Sequence, residues 1–146
     1  MNDSAATEVR IDAQAIPIRR RARASVAVMG IRNSGKSTLF NRLTGLRQTT
    51  GNFPGVTVER HAGTVQLDET ALELVDLPGI YCLGGASLDE RIAVDAILGR
   101  LDGEAAPDAL LVVVSATHLY QGLYLVEQLL ELGLPTLVAL TMIDAA

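Results

Sequence analysis

Gly30-Ile31-Arg32-Asn33-Ser34-Gly35-Lys36-Ser37 is the stretch that decides the fold of this chain. It has the form G-x-x-x-x-G-K-[ST], and Lys36 is the only lysine among 12 basic residues. A loop that wraps a phosphate chain must turn tightly and aim backbone N–H groups inward, and Gly30 and Gly35 permit that turn. A helix opening at Ser37 would turn unpaired N–H groups and a positive dipole end to the same anion. Lys36 then suits the β- and γ-phosphates of a nucleoside triphosphate, and the Ser37 hydroxyl suits Mg²⁺. Ile31, Arg32, Asn33, Ser34 and Thr38 complete the phosphate-binding stretch.

The flanks supply the context such a loop needs. Residues 25–29 (SVAVM) form a short apolar run suited to a buried strand, and residues 37–43 place Leu39, Phe40 and Leu43 at helical spacing. Further along, residues 46–57 are rich in Gly, Thr, Asn and Pro and read as a loop. Residues 58–67 and 71–75 read as a strand pair turning at residues 68–70. Helices are expected over 88–101 and 119–132, the second stopping at Gly133, and buried strands over 109–114 and 134–142. The β-α-β-β-α-β-α-β alternation predicts an α/β, three-layer domain: a mainly parallel sheet with helices on both faces.

Composition narrows the function. The 146 residues suffice for one domain with a real core, and 49% are hydrophobic, which excludes a wholly disordered chain. Seventeen acidic residues against 12 basic ones give a net charge of −5. Residues 1–23 are locally basic and include Arg19-Arg20-Arg21-Ala22-Arg23, so they read as a disordered arm, either a plain solvated extension or a weak contact to anionic lipid or another subunit. The acidic remainder argues against nucleic acid as the main partner. Cys82 is alone, so no disulfide framework or cysteine metal cluster is expected. No apolar run reaches membrane-span length and no signal peptide opens the chain, so a cytoplasmic location is expected. His61, His118 and Cys82 read as structural or incidental residues, and no iron ligand is expected.

Three further segments bear on phosphate chemistry. Asp76-Leu77-Pro78-Gly79 ends an apolar run. A carboxylate there can hold Mg²⁺ directly or through water, and Gly79 can offer its N–H to a γ-phosphate. Thr57, within Gly55-Val56-Thr57-Val58-Glu59, can complete the Mg²⁺ shell when a triphosphate is bound. Thr141-Met142-Ile143-Asp144 ends the last strand. Asp144 either caps a helix or accepts hydrogen bonds from guanine N1–H and its exocyclic amine, a donor pair that adenine lacks.

Taken in order, these segments resemble the small GTPase-like phosphate-loop proteins. In detail they resemble the cytoplasmic G domain of the ferrous-iron transporter B (FeoB) family. The likeness spans residues 24–146 and is carried by Leu43-Thr44-Gly45-Leu46-Arg47-Gln48, by Gly51-Asn52-Phe53-Pro54 leading to Arg60, by Asp76 to Tyr81, by Ser87-Leu88-Asp89-Glu90, and by Ala116-Thr117-His118-Leu119. It implies that residues 30–37 bind phosphate, 55–59 form switch I, 76–79 begin switch II and 141–144 recognise guanine. It also implies that Asn33 helps coordinate K⁺. Mg²⁺ and K⁺ are the implied cofactors, GTP and GDP the ligands, and a membrane channel domain the partner, at the cytoplasmic face of the inner membrane.

The chain departs from the family pattern at several points. Thr141 replaces an asparagine, Arg32 replaces a proline, and Ile80 stands where Ras-like enzymes have glutamine. Arg32 either projects to solvent or sits near the nucleotide. An isoleucine cannot orient a water, so slow hydrolysis is expected. The resemblance implies a further strand and closing helix beyond Asp144, then helical and membrane parts, so the chain is expected to be a fragment or a truncated relative. Two rival readings stand beside the slow GTPase. One is a non-hydrolysing nucleotide-binding or interaction module, and the other is a GTPase of ribosome or tRNA biology.

Overall fold

The computed structural model describes residues 23–84 and 86–145. The basic arm expected over 1–23 lies, Arg23 apart, outside the described residues. One six-stranded sheet organises the rest. In chain order its strands are β1 (Ala24–Gly30), β2 (Gln48–Asn52), β3 (Glu59–Leu67), β4 (Thr70–Asp76), β5 (Ala109–Ser115) and β6 (Thr136–Thr141). The helices are α1 (Lys36–Thr44), α2 (Leu88–Ile97) and α3 (Leu119–Leu130). Short 3₁₀ turns cover Ala116–His118 and Ile143–Ala145.

Across the sheet the order is β2-β3-β4-β1-β5-β6. β4, β1, β5 and β6 run parallel, while β2 and β3 add an antiparallel flank to β4. The expected α/β architecture is therefore present, as a mixed sheet whose parallel part carries the phosphate loop.

Burial explains the layering. Along β1, Val26 and Val28 face α1 and pack with Leu39, Phe40, Leu74, Leu111 and Val113. Ala27 and Met29 face the other way, toward Ile92, Ile97, Leu125 and Leu129 of α2 and α3. With both faces covered, every residue of β5 (ALLVVVS) is buried, so it reads as a continuous apolar run without alternation. Leu39 and Phe40 alone contribute about 1.5–3 kcal/mol each by leaving water, and they fix α1 over the sheet.

Two sequence expectations need correction. The strand expected to be buried over 134–142 is β6, a sheet edge paired, among the described residues, only with β5, in which Val138 and Leu140 are exposed; its apolar run does not record that one side lacks a neighbouring strand. Residues 46–57 are not simply a loop, because 48–52 form β2, antiparallel to β3, with Thr50 opposite His61. β2 (QTTGN) is an edge strand with almost no buried face, so hydrophobic alternation had nothing to act on. Helix ends also shift. α2 stops at Ile97 rather than 101, because Gly99 takes φ +70° and its N–H turns back to the Ala96 carbonyl at 3.3 Å. α3 ends at Leu130, just before Gly133 at φ +77°.

Candidate functional site

The phosphate-loop residues sit where the parallel strands end. Gly30 closes β1, and a Cβ there would lie 2.7 Å from the Val113 carbonyl and 2.8 Å from Ser34 Oγ, so no other residue fits. Asn33 and Gly35 take the left-handed region at φ 62° and 86°, which folds the loop back over the start of α1. The first turn of α1 has no side-chain cap and no acidic residue. Its free N–H groups therefore face the loop's concavity with no competing carboxylate on the helix.

That concavity is a cavity of about 580 Å³. Ile31, Arg32, Asn33 and Gly35 line one side, with Lys36, Ser37 and Thr38 from the helix. Gly79 and Met142 come in from other elements. Although the chain is acidic overall, the described lining includes two cations, Arg32 and Lys36, which suits a polyanion.

The Asp76–Gly79 segment reaches the loop through backbone hydrogen bonds. Leu77 N–H donates to the Val28 carbonyl at 3.0 Å and Ile80 N–H to the Gly30 carbonyl at 3.1 Å. Pro78 between them has no N–H to satisfy. This register sets Asp76 beside the loop, where its carboxylate accepts from Lys36 Nζ in a pair that is about nine-tenths buried, with side-chain exposures of 10% and 13%. A triphosphate would offer Lys36 a new anionic partner and leave Asp76 free for a cation.

Thr141 proves to be an internal anchor. It is buried, and its hydroxyl donates to the Ser34 carbonyl at 2.6 Å, with the Val114 carbonyl at 3.3 Å. The last strand thus holds the phosphate loop from below. Met142, at φ 57°, lies against the loop, and its sulfur accepts from Ser115 Oγ at 3.2 Å. Beyond it, a second cavity of about 310 Å³ runs between Thr38, Leu39, Arg42 and Leu43 of α1 and Thr141 and Met142.

Other expected site residues stay outside this assembly. Thr57 is exposed on the turn between β2 and β3, a turn closed by Phe53 N–H to the Val58 carbonyl at 3.0 Å. Gly55 on that turn has φ 74°, and Val56 and Val58 pack against the core. Glu59 pairs with His61 at 3.1 Å. Asp144 and Ile143 lie exposed on a 3₁₀ turn just past β6, outside the described cavity linings. Ile80 is buried in the core with 1% exposure, so its side chain does not enter the cavity.

For Mg²⁺ the donor set is chemically apt. Ser37 and Asp76 are hard oxygen donors at the loop, and Mg²⁺ takes few protein oxygens beside phosphate oxygens. Among the described residues no group of three His, Cys, Asp or Glu side chains is placed to hold a metal. What sequence reading missed is the partner set of Arg32, which contacts Gly79 and Asp89. Those partners lie 47 and 57 residues away, so no local pattern could reveal them.

Comparison with known proteins agrees with this geometry. The family model described as ferrous iron transport protein B matches residues 24–146. The Fe(2+) transporter FeoB of Leptospira biflexa is 46% identical over 120 residues, which is 82% of this chain and 17% of that protein. The chain thus spans about a sixth of such a relative. The crystal structure of the G domain of the T. maritima FeoB iron transporter superposes with TM-score 0.76 at 41% identity, covering 84% of this chain and 74% of that one. A GDP-bound variant of the S. thermophilus N-terminal FeoB domain gives TM-score 0.75 at 45% identity, covering 84% and 45%. With its phosphate loop, its strand order and its match over residues 24–146, the chain belongs to the ferrous iron transport protein B family and carries the fold of that family's G domain.

Proposed function

We propose that this chain binds GTP with Mg²⁺ and hydrolyses it slowly, as the nucleotide-controlled domain of a ferrous-iron transporter. The observation that carries the reading is the cavity at Gly35, Lys36 and Ser37, with Asp76 held against Lys36 beside it. Backbone N–H groups of the loop and of the first turn of α1 bind the phosphates. Lys36 would exchange its carboxylate partner for phosphate oxygens, and Asp76 and Ser37 would be the residues to hold the metal. Mg²⁺, when bound, neutralises charge on the phosphate oxygens. Thr57 would add an oxygen ligand to Mg²⁺ when a triphosphate is bound, and Asn33 would help to hold K⁺. Asp144 selects guanine. Slow turnover follows from Ile80, whose buried side chain leaves that position without a group to orient water.

The Gly55–Glu59 and Asp76–Gly79 segments respond to the nucleotide and signal to a membrane channel part in the longer family members. Among the described residues no helix is long and apolar enough to cross a membrane. We assign iron passage to that other part, with this domain on the cytoplasmic face of the inner membrane. A non-hydrolysing module is the second reading, favoured by the same buried Ile80 and by Thr57 lying outside the cavity. A ribosome- or tRNA-acting GTPase is set aside, because the matching family is one of iron transport.

One experiment separates these readings. The chain is mixed with GTP or ATP in Mg²⁺, with K⁺ or Na⁺, and binding and phosphate release are followed. The expected result is GTP preference and slow release that is faster in K⁺, with binding lost in Lys36→Ala. Wild-type affinity in Lys36→Ala would sink the phosphate-loop assignment. Binding without release would favour the module, and equal rates in K⁺ and Na⁺ would remove the Asn33 role.

A further inference from the structure

We propose that Arg32 and Asp89 form a latch that the terminal phosphate of GTP opens, so that Arg32 discriminates GTP from GDP. The proposal rests on the nucleotide reading above. Arg32 belongs to the phosphate loop, and its guanidinium has two partners outside that loop. Its Nη2 donates to Asp89 Oδ2 at 3.1 Å and its Nε to the Gly79 carbonyl at 3.4 Å. These two partners bracket the segment between β4 and α2. At its start, a Cβ on Gly79 would come within 3.0 Å of Arg32 Cγ and 3.3 Å of its Cα and N, so the backbones are already packed together. At its end, Asp89 sits in the first turn of α2. One side chain therefore ties both ends of the segment to the phosphate loop.

The pair is poised to exchange partners. The Arg32 side chain is 57% exposed and that of Asp89 is 35% exposed, so their attraction is screened and weak. Arg32 also lines the phosphate cavity together with Asn33 and Lys36. A guanidinium binds phosphate oxygens through two parallel N–H groups, and such charge-assisted bonds outweigh an exposed ion pair. GDP lacks the terminal phosphate and leaves the latch shut. GTP supplies a competing anion, draws Arg32 into the cavity and releases Asp89. The rest of α2 stays in place because Ile92, Ala93 and Ile97 are buried against the sheet. Release therefore affects its first turn and the segment before it.

The test measures equilibrium affinities of the chain for GDP and for a non-hydrolysable GTP analogue, both with Mg²⁺. Asp89→Asn removes the competing carboxylate charge and should raise the analogue-to-GDP affinity ratio about two- to fivefold. Arg32→Ala should lower that ratio about tenfold, and Arg32→Lys should recover part of it, since charge returns without the fork. In the Arg32→Ala background, Asp89→Asn should have no effect. An unchanged ratio in an Asp89→Asn protein that binds both nucleotides would overturn the latch and leave the nucleotide reading standing. So would an Asp89→Asn effect that persists without Arg32. If the unaltered chain binds neither nucleotide, the nucleotide reading fails and the latch fails with it.

Discussion

Replacing Thr141 by valine tests whether the last strand holds the phosphate loop. Valine matches threonine in shape, so the change removes a hydroxyl and little else. That hydroxyl is buried and donates to the Ser34 carbonyl at 2.6 Å. Its contact to the Val114 carbonyl is longer, at 3.3 Å, and contributes less. A buried carbonyl stripped of its donor costs about 1–3 kcal/mol. We expect a loss in the lower half of that range, about 1.5 kcal/mol of unfolding free energy in urea. For a chain of this size that lowers Tm by roughly 3–6 °C. If the loop relaxes, so that its binding shape must be restored by the ligand, the same energy weakens GDP affinity about tenfold. Thr141→Ser keeps the hydroxyl and should retain GDP affinity within about twofold, which separates anchoring from packing. Wild-type melting and wild-type GDP affinity in Thr141→Val would refute the anchor, and equal loss in serine and valine would assign the effect to the methyl group.

Two other substitutions test packing and base choice. Gly122→Ala in α3 would gain about 1 kcal/mol by helix propensity alone. Yet the new Cβ would meet Val114 Cγ1 at 2.5 Å, on a strand with no room to retreat, so net destabilisation of about 1–3 kcal/mol is expected in chemical denaturation; any stabilisation would contradict the close α3–β5 contact. Asp144→Ala should weaken GTP much more than ATP in competition binding, by about 1.5–3 kcal/mol for a lost charged acceptor. Equal weakening of both nucleotides would remove Asp144 from guanine recognition.

How much was legible in advance depends on how local each determinant is. The phosphate loop is encoded in eight consecutive residues, and Gly30 and Gly35 meet their steric demands within the segment or against one neighbouring strand. β1 and β5 announce themselves through apolar runs, since buried parallel strands need little polar surface; β6 shows a similar run although it is a sheet edge with Val138 and Leu140 exposed. β2 does not, because its side chains are mostly exposed and its place is set by pairing with β3. In the sequence Thr141 reads as part of a base-binding motif, and only its burial against Ser34 reveals the anchoring hydroxyl. Thr57 carries the right chemistry, but its position depends on how the β2–β3 turn closes, which no local pattern records.

By itself, then, the sequence determined the loop, its flanking strand and helix, and the family, because these follow from residue types at short spacing. Tertiary structure decided which side chains meet. Lys36 lies on Asp76, Arg32 on Gly79 and Asp89, and Thr141 on Ser34. Each pair joins residues at least 40 positions apart, and the nearest of them is 40 apart. Such contacts arise from strand order and register, which place the ends of β1, β4 and β6 around one cavity. They depend on the packing of the whole sheet, and a short window of sequence carries no information about it.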